Sequence, residues 1–461
     1  MTTHDIAHRA VLNAGPDGFA LVTQERSLTL RFAAGKPTQS TAIDDLTVEI
    51  ALPFQGHVGR ASTNKVDDAA LAECAERARQ AARAAEASGE GTFPGFDPHP
   101  GTLAQRTHDA ATADLDPETG ASALADAFAV AEEHDLESHG MWTVAEQEQA
   151  WAIAEGRASK RGSIGGVAER RTDAFMKVIC ITSSGRSGYA SESSVAAADL
   201  DARELAERAA RKALADGEPA ELPPGEYPVV FESHAVGWLC DLLAGCAFNG
   251  LAHAEGRGAL DGRLGEWVAA PAINLADSPA HPRTLPRSFD AEGTVKSPIP
   301  LIEDGVAHGV AHDLRSAALA GNGAVTTGHA LAPGGDAAGP HPTNLVLAGG
   351  GAADEAELCA PVERGVYVTR LWYANVVRPK ETLITAVTRD GTFLIEDGTV
   401  TRPLRDLRLT DSVLGILSRT QALARDQQLT SDGEFYGRRF AYGVVCPALR
   451  ANAVRFTGAA G

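Results

Sequence analysis

Residues 215–228 read ADGEPAELPPGEYP, with four prolines set among glycines and glutamates. Proline lacks a backbone N–H and fixes φ, so a stretch rich in it beside glycine reads as a break between folded units. The segment is the expected boundary between residues 1–220 and residues 221–461. Length alone, at 461 residues, would allow about three domains. A composition of 44% hydrophobic and 22% charged residues is that of a chain that folds around a core, which excludes disordered, collagen-like and coiled-coil proteins.

Before the boundary, ALVTQERSLTLRFAAG and LTVEIALPF alternate as strands of a half-exposed sheet do, within Phe19 to Ile50. Thr63 and Asn64, followed by Asp67 and Asp68, open a long Ala/Leu/Glu/Arg helix running to about Ala87 and stopped at Ser88-Gly89. The Pro/Gly loop EGTFPGFDPHPG follows, and Asp116-Pro117 starts a second helix through Glu132. Trp142 to Gly188 read as strands again, including QAWAIAEG, with a kink expected at Gly165-Gly166; a third helix is expected from about Asp201 to Asp216.

After the boundary, PVVFES reads as a strand, and Ala235 to Asn249 form a helix apolar on nearly every face, the pattern of a buried helix. The rest is β-like. LIEDG occurs at Leu301 to Gly305 and again at Leu394 to Gly398, each Asp-Gly placed as in a hairpin turn. Gly/Pro-rich loops are expected at Ala332 to Thr343 and Ala348 to Ala353. The expected fold class is α+β, with long helices packed on a sheet in the N-terminal part and a large, mainly antiparallel β domain in the C-terminal part.

With 41 basic against 61 acidic residues, the net charge of −20 repels a polyanion, so nucleic acid is not an expected partner. The six cysteines show no CxxC and no paired spacing, as in a reducing compartment. No basic n-region with an apolar run opens the chain, and no uncharged apolar stretch of membrane-spanning length occurs, so a cytoplasmic protein without membrane association is expected.

Chemistry is sparse. The glycine clusters GNGAVTTG, AGGGA and GSIGG complete no phosphate or dinucleotide fingerprint. GRSGY at Gly185 to Tyr189 has Tyr where a nucleophile elbow needs glycine, and reads as a turn. His308 and His312 have helical ligand spacing, but GVAHGVAHD reads as a strand, which would hold the two imidazoles about 13 Å apart and unable to share an ion. His329 and His341 flank a Gly/Pro-rich loop, where they either contact substrate or are simply solvated.

From the proline-rich boundary onward, the order of several segments resembles the TldD/PmbA metallopeptidase family. They are LPPGEYPVVFESHAVGWLCDLLAG, LGEWV, FDAEGT, LIEDGVAHGVAHDLRSAALAGNGAVTTGHA, PTNLVLAGGG, RGVYVTRLWYANVVRP, TAVTRDGTFLIEDGTVTRPLRDLR and VVCPALR. The helical segments VDDAALAECAERARQAARAAEAS and LDARELAERAARKALADG extend the resemblance over nearly the whole length.

In that family one subunit carries HExxxH on the first helix of the C-terminal domain, two histidines holding zinc while the glutamate activates water. Laid over that motif on Gly237 and Gly245, this sequence has Asp241, Leu242 and Cys246 where His, Glu and His would stand. Leu242 cannot take a proton, so the resemblance implies a TldE/PmbA-type subunit with no catalytic residue and no metal of its own. Cys446, inside VVCPALR, is displaced from the place of the family's zinc cysteine. The implied partner is a TldD-like subunit carrying zinc in a heterodimer, and the implied substrate is a short or unfolded peptide held as an added strand, as in peptide or natural-product maturation. Arg370, Trp372 and Tyr373 in VTRLWYANVV are expected near the shared cleft, Arg370 for a substrate carboxylate; packing of the two aromatics in the sheet or subunit interface is the alternative. A non-hydrolytic peptide-binding or chaperone-like module is the alternative function.

Overall fold

A computed structural model describes residues 1–87, 89–98, 100–103, 106–154, 164–431 and 438–459. Ser88 of the expected helix stop, His99 of the Pro/Gly loop, Glu155 and Gly156 of the expected strand, and Gly162 and Ser163 of the GSIGG cluster lie outside these residues.

Residues 19–194 supply a six-stranded antiparallel sheet in the order His57–Thr63, Lys36–Phe54, Phe19–Ala33, Glu137–Ala154, Ile164–Ile181 and Ser187–Ser194. Because strand side chains alternate between faces, the even-numbered residues of the central strands share one face. Ala20, Val22, Leu28, Trp142, Val144, Ala152, Met176 and Val178 lie there in two apolar clusters. Helices Thr3–Ala14 and Asp68–Glu86 cover one end of this face, and helices Pro117–Glu133 and Ala202–Ala213 cover the other. The helix starts follow from side-chain caps: Asp67 accepts from the Ala70 N–H, Asp116 from those of Glu118 and Thr119, and Asp201 from that of Glu204.

The odd-numbered face carries Thr23, Glu25, Gln149, Glu169, Arg171 and Asp173, all buried. It is covered by the second part of the chain. Phe19, Leu21 and Trp151 pack there against Phe289, Ala291 and Ala330.

Residues 225–459 supply an eleven-stranded sheet, mainly antiparallel. Strand Arg364–Arg378 runs parallel to Gly225–Phe231, and Asn344–Leu347 runs parallel to Gly443–Ala459. Helix Ser233–Cys246 lies against this sheet with Val236, Leu239, Cys240 and Leu243 fully buried. Both LIEDG segments make hairpin turns: Asp304 and Gly305 have φ of 48° and 80°, Asp397 and Gly398 of 47° and 80°. Positive φ at both central residues is the turn that matches the twist of paired strands. The α+β class is as expected. Among the described residues no helix is long and apolar enough to cross a membrane.

Three local expectations change. Helix Thr3–Ala14, capped reciprocally by Thr2 and Asp5, was not anticipated, although Ile6, Ala7, Ala10, Val11 and Ala14 recur at helical spacing along its buried face. No kink occurs at Gly165-Gly166, where pairing with the neighbouring strand is unbroken. Gly166 is instead required by close approach, since a Cβ would press on the Trp151 carbonyl and on His4 of that first helix. GVAHGVAHD is not one strand: pairing stops at Ala307, and Asp313 caps helix Leu314–Ala320.

Candidate functional site

Helix Ser233–Cys246 follows directly from strand Gly225–Phe231, and its half-buried Asp241 faces the loop that carries His341. Asp241 Oδ1 lies 3.4 Å from His341 Nε2. The His341 N–H donates to the His329 carbonyl at 3.1 Å, so the two histidines hang from one short backbone pairing. His329 Nε2 lies 3.0 Å from Asp277 Oδ1, and Lys296 Nζ lies 3.4 Å from the same oxygen. Both histidine–aspartate contacts are close in distance but poorly aligned as hydrogen bonds.

Lys296 also donates to Thr343 Oγ1 at 2.8 Å, and the Asn344 N–H donates to Asp277 Oδ2 at 2.7 Å. Burial alone would raise the Asp277 pKa; Lys296 and His329 outweigh it and hold the carboxyl well below its ordinary range. Burial, reinforced by Lys296, pushes His329 below the usual imidazole range, so a neutral His329 faces an ionised Asp277. This group is sealed in, whereas His341 and Asp241 keep part of their surface open.

The opening is a narrow cleft between the two parts of the chain, lined by both polar and apolar residues. Thr23, Gln147 and Gln149 of the six-stranded sheet line one wall, and Arg287, His341 and Arg438 line the other. Arg287 is buried, with its guanidinium 4.2 Å above the Phe440 ring.

Arg370, Trp372 and Tyr373 do not line this cleft. Arg370, expected to be free for a substrate carboxylate, is bound within the chain: its Nε donates to Asp390 Oδ2 at 2.8 Å, its Nη2 donates to the same oxygen, and the guanidinium stacks on Tyr189 and Trp372. Trp372 is half-buried, while Tyr373 is exposed at a break in strand register with φ of 48°. Cys246 is buried, its thiol donating to the Leu242 carbonyl at 3.1 Å, and burial pushes its pKa up to about 12.

Arg287, Lys296 and Asp277 were not anticipated. They lie in or beside the irregular stretch SPAHPRTLPRSFD, which has no period to read. The one local signal was RRF at residues 438–440, basic residues next to an aromatic ring.

The family model described as the PmbA/TldA metallopeptidase C-terminal domain matches residues 224–458, just over half of the chain, and the model of domain 1 matches residues 20–82. The chain belongs to the TldD/PmbA metallopeptidase family. A curated metalloprotease of Methanothermobacter thermautotrophicus is 25% identical over 59% of this chain, and a metalloprotease TldD homolog of Haemophilus influenzae is 26% identical over 54%. The chain spans 60% and 51% of the length of these two relatives. TldE from Thermococcus kodakarensis has the same fold, with a TM-score of 0.81 at 18% identity, covering 98% of this chain and 99% of that one. A protein described as a candidate modulator of a DNA gyrase from Thermotoga maritima also has a TM-score of 0.81, at 20% identity, covering 99% and 100%.

A zinc ion does not suit the residues of helix Ser233–Cys246. Leu242 offers no base, the Cys246 thiol is held in its protonated form against a helix carbonyl, and Asp241 faces a single imidazole. Among the described residues no three His, Cys, Asp or Glu side chains gather as ligands. The arrangement is suited to holding a polar ligand, with imidazole, amide and guanidinium groups along one cleft.

Proposed function

We propose that this chain is the subunit without zinc in a two-chain TldD/TldE-like peptidase of the cytoplasm, which hydrolyses short or unfolded peptides only when a TldD-like partner supplies the metal. The observation that carries this reading is Leu242, in place of the general base, on the helix where the family's zinc motif would stand. A peptidase that activates water needs both the ion and a carboxylate to take the proton. A family member that departs from this at the reacting position retains a role in shaping the site and holding substrate. The fold shared with a protein named TldE from Thermococcus kodakarensis is in keeping with this reading.

The test is reconstitution. The purified chain is mixed with a family member carrying intact HExxxH, and cleavage of an unfolded peptide is followed with either chain omitted. Cleavage is expected only from the mixture, with zinc bound by the partner. Undiminished cleavage by the partner alone, or stoichiometric zinc on this chain by itself, would reject the proposal.

A further inference from the structure

Among the described residues, the buried arginines divide into those that are paired and one that is not. Arg171 lies 3.3 Å from Glu169 and donates to Gln149 at 3.1 Å. Arg370 is bound to Asp390, and Arg439 to Asp173. Arg287 is as buried as these, at 7% exposure, yet makes no ion pair. Its one hydrogen bond runs from Nη2 to the Ala441 carbonyl at 3.5 Å, the outer limit for such a contact.

The nearby carboxylates are already committed. Glu169 accepts from the Ser288 N–H at 3.2 Å and from the Ser288 hydroxyl, besides pairing with Arg171. Asp290 accepts from the N–H groups of Glu292, Thr294 and Ala330 at 2.9, 3.0 and 2.9 Å. Burial drives the Arg287 pKa well down, with Arg171 and Arg438 adding to this and Glu169 and Asp290 only partly offsetting it. A guanidinium nevertheless stays protonated in proteins, and a buried charge with no counter-charge is costly.

The group is also set in place. Its plane rests on Phe440, and it lies between the His341 cleft and the adjoining cleft that contains Arg171 and Arg439. Lys296, paired with Asp277, and Arg438, paired with Glu49, also line the first cleft, where Asp290 is the only acidic residue among the described lining residues. The space is narrow, which suits a planar carboxylate gripped by two parallel N–H donors better than a bulky polyanion.

We propose that Arg287, stacked on Phe440, is the anchor of a carboxylate-binding site opening into the cleft beside His341. The carboxylate is either that of a small free acid or the terminal carboxylate of a peptide, and both present the same two oxygens. The site belongs to this chain alone and does not depend on the partner reading, so either proposal can fail without the other.

Calorimetric titration of the isolated full-length chain tests it, using trialanine, trialanine amide and sodium acetate. Trialanine binding with a loss on C-terminal amidation assigns the peptide source, and acetate binding with no gain from the peptide assigns the small acid. In either case Arg287→Met is expected to weaken binding roughly 10- to 100-fold and Arg287→Lys by less, because lysine keeps the charge and loses the two-pronged grip. Circular dichroism confirms that the variants are folded, and the lysine variant carries the test should the methionine variant not fold. Equal affinity for the amide and the free acid, no binding of any of the three ligands, or binding unchanged in both variants overturns the site.

Discussion

At the scale of single residues, His234 is a strong source of acid sensitivity. Burial pushes its pKa down to about 3, and the neighbouring Glu232 only partly offsets that. The unfolded chain takes up a proton near pH 6.5 while the native chain does not, so the unfolded state binds more protons throughout the interval between the two values. Stability is therefore lost as pH falls from about 6.5 toward 3. For His234→Gln, which keeps a partner for the Ser191 hydroxyl, the drop in urea-unfolding free energy between pH 7 and pH 5 is expected to be about 2 kcal/mol smaller than for the parent chain. Groups that titrate in both proteins cancel in this difference. An identical drop in the two proteins would exclude His234 as the acid-sensitive group. Little of this scale was legible beforehand. Asp241 and His341 were each singled out in the sequence, but their meeting depends on a loop a hundred residues away, and Arg370 was read as free because its partner Asp390 lies on the next strand.

At the scale of elements, helix Ser233–Cys246 shows how closely packing sets sequence. Gly237 lies where a Cβ would overlap the Thr430 hydroxyl of strand Thr420–Thr430. Gly237→Ala gains helix propensity of about 1 kcal/mol but must push the strand away, a cost of roughly 1–3 kcal/mol. A net loss of stability is expected, and Thr430→Ala in the same chain should recover part of it. A chemical-denaturation double-mutant cycle measures this coupling, and strictly additive effects would show that the helix can shift at no cost. Elements were the most legible level. Asp116 and Asp201 announced helix starts that stand at Pro117 and Ala202, because a cap acts within one turn and needs nothing distant, whereas the start expected at Thr63-Asn64 stands at Asp68, capped by Asp67, since Thr63 ends a strand. GVAHGVAHD was misread because its alternation resembles a strand, whereas Asp313 and Ser316 cap a helix immediately after it.

At the scale of the molecule, the two sheets are joined through charges held away from water. Lys212 of helix Ala202–Ala213 lies 2.8 Å from Glu232, which also accepts from the Tyr367 hydroxyl at 2.8 Å and the Thr369 hydroxyl at 3.1 Å. Lys212→Met strands a buried carboxylate and is expected to cost roughly 3–5 kcal/mol, while Lys212→Met with Glu232→Gln costs less than the two single changes added. Tryptophan fluorescence and far-ultraviolet dichroism should follow one shared, lowered transition. A transition that splits in the variant would mean that this pair also couples the two parts. From sequence, the proline-rich segment marked a division, but no residue pattern showed that the concealed face of the first sheet sets charged and amide groups beside Phe19, Leu21 and Trp151. That face, with Glu25, Gln149, Glu169, Arg171 and Asp173, bears on how the protein is made. The first sheet leaves the ribosome before the strands that will cover it exist. A wholly greasy face would be sticky during that wait, whereas the carboxylates and guanidinium groups of this mixed face can remain hydrated. Water then has to be stripped from them when the second part docks, which makes joining the sheets a late, dehydrating step of folding.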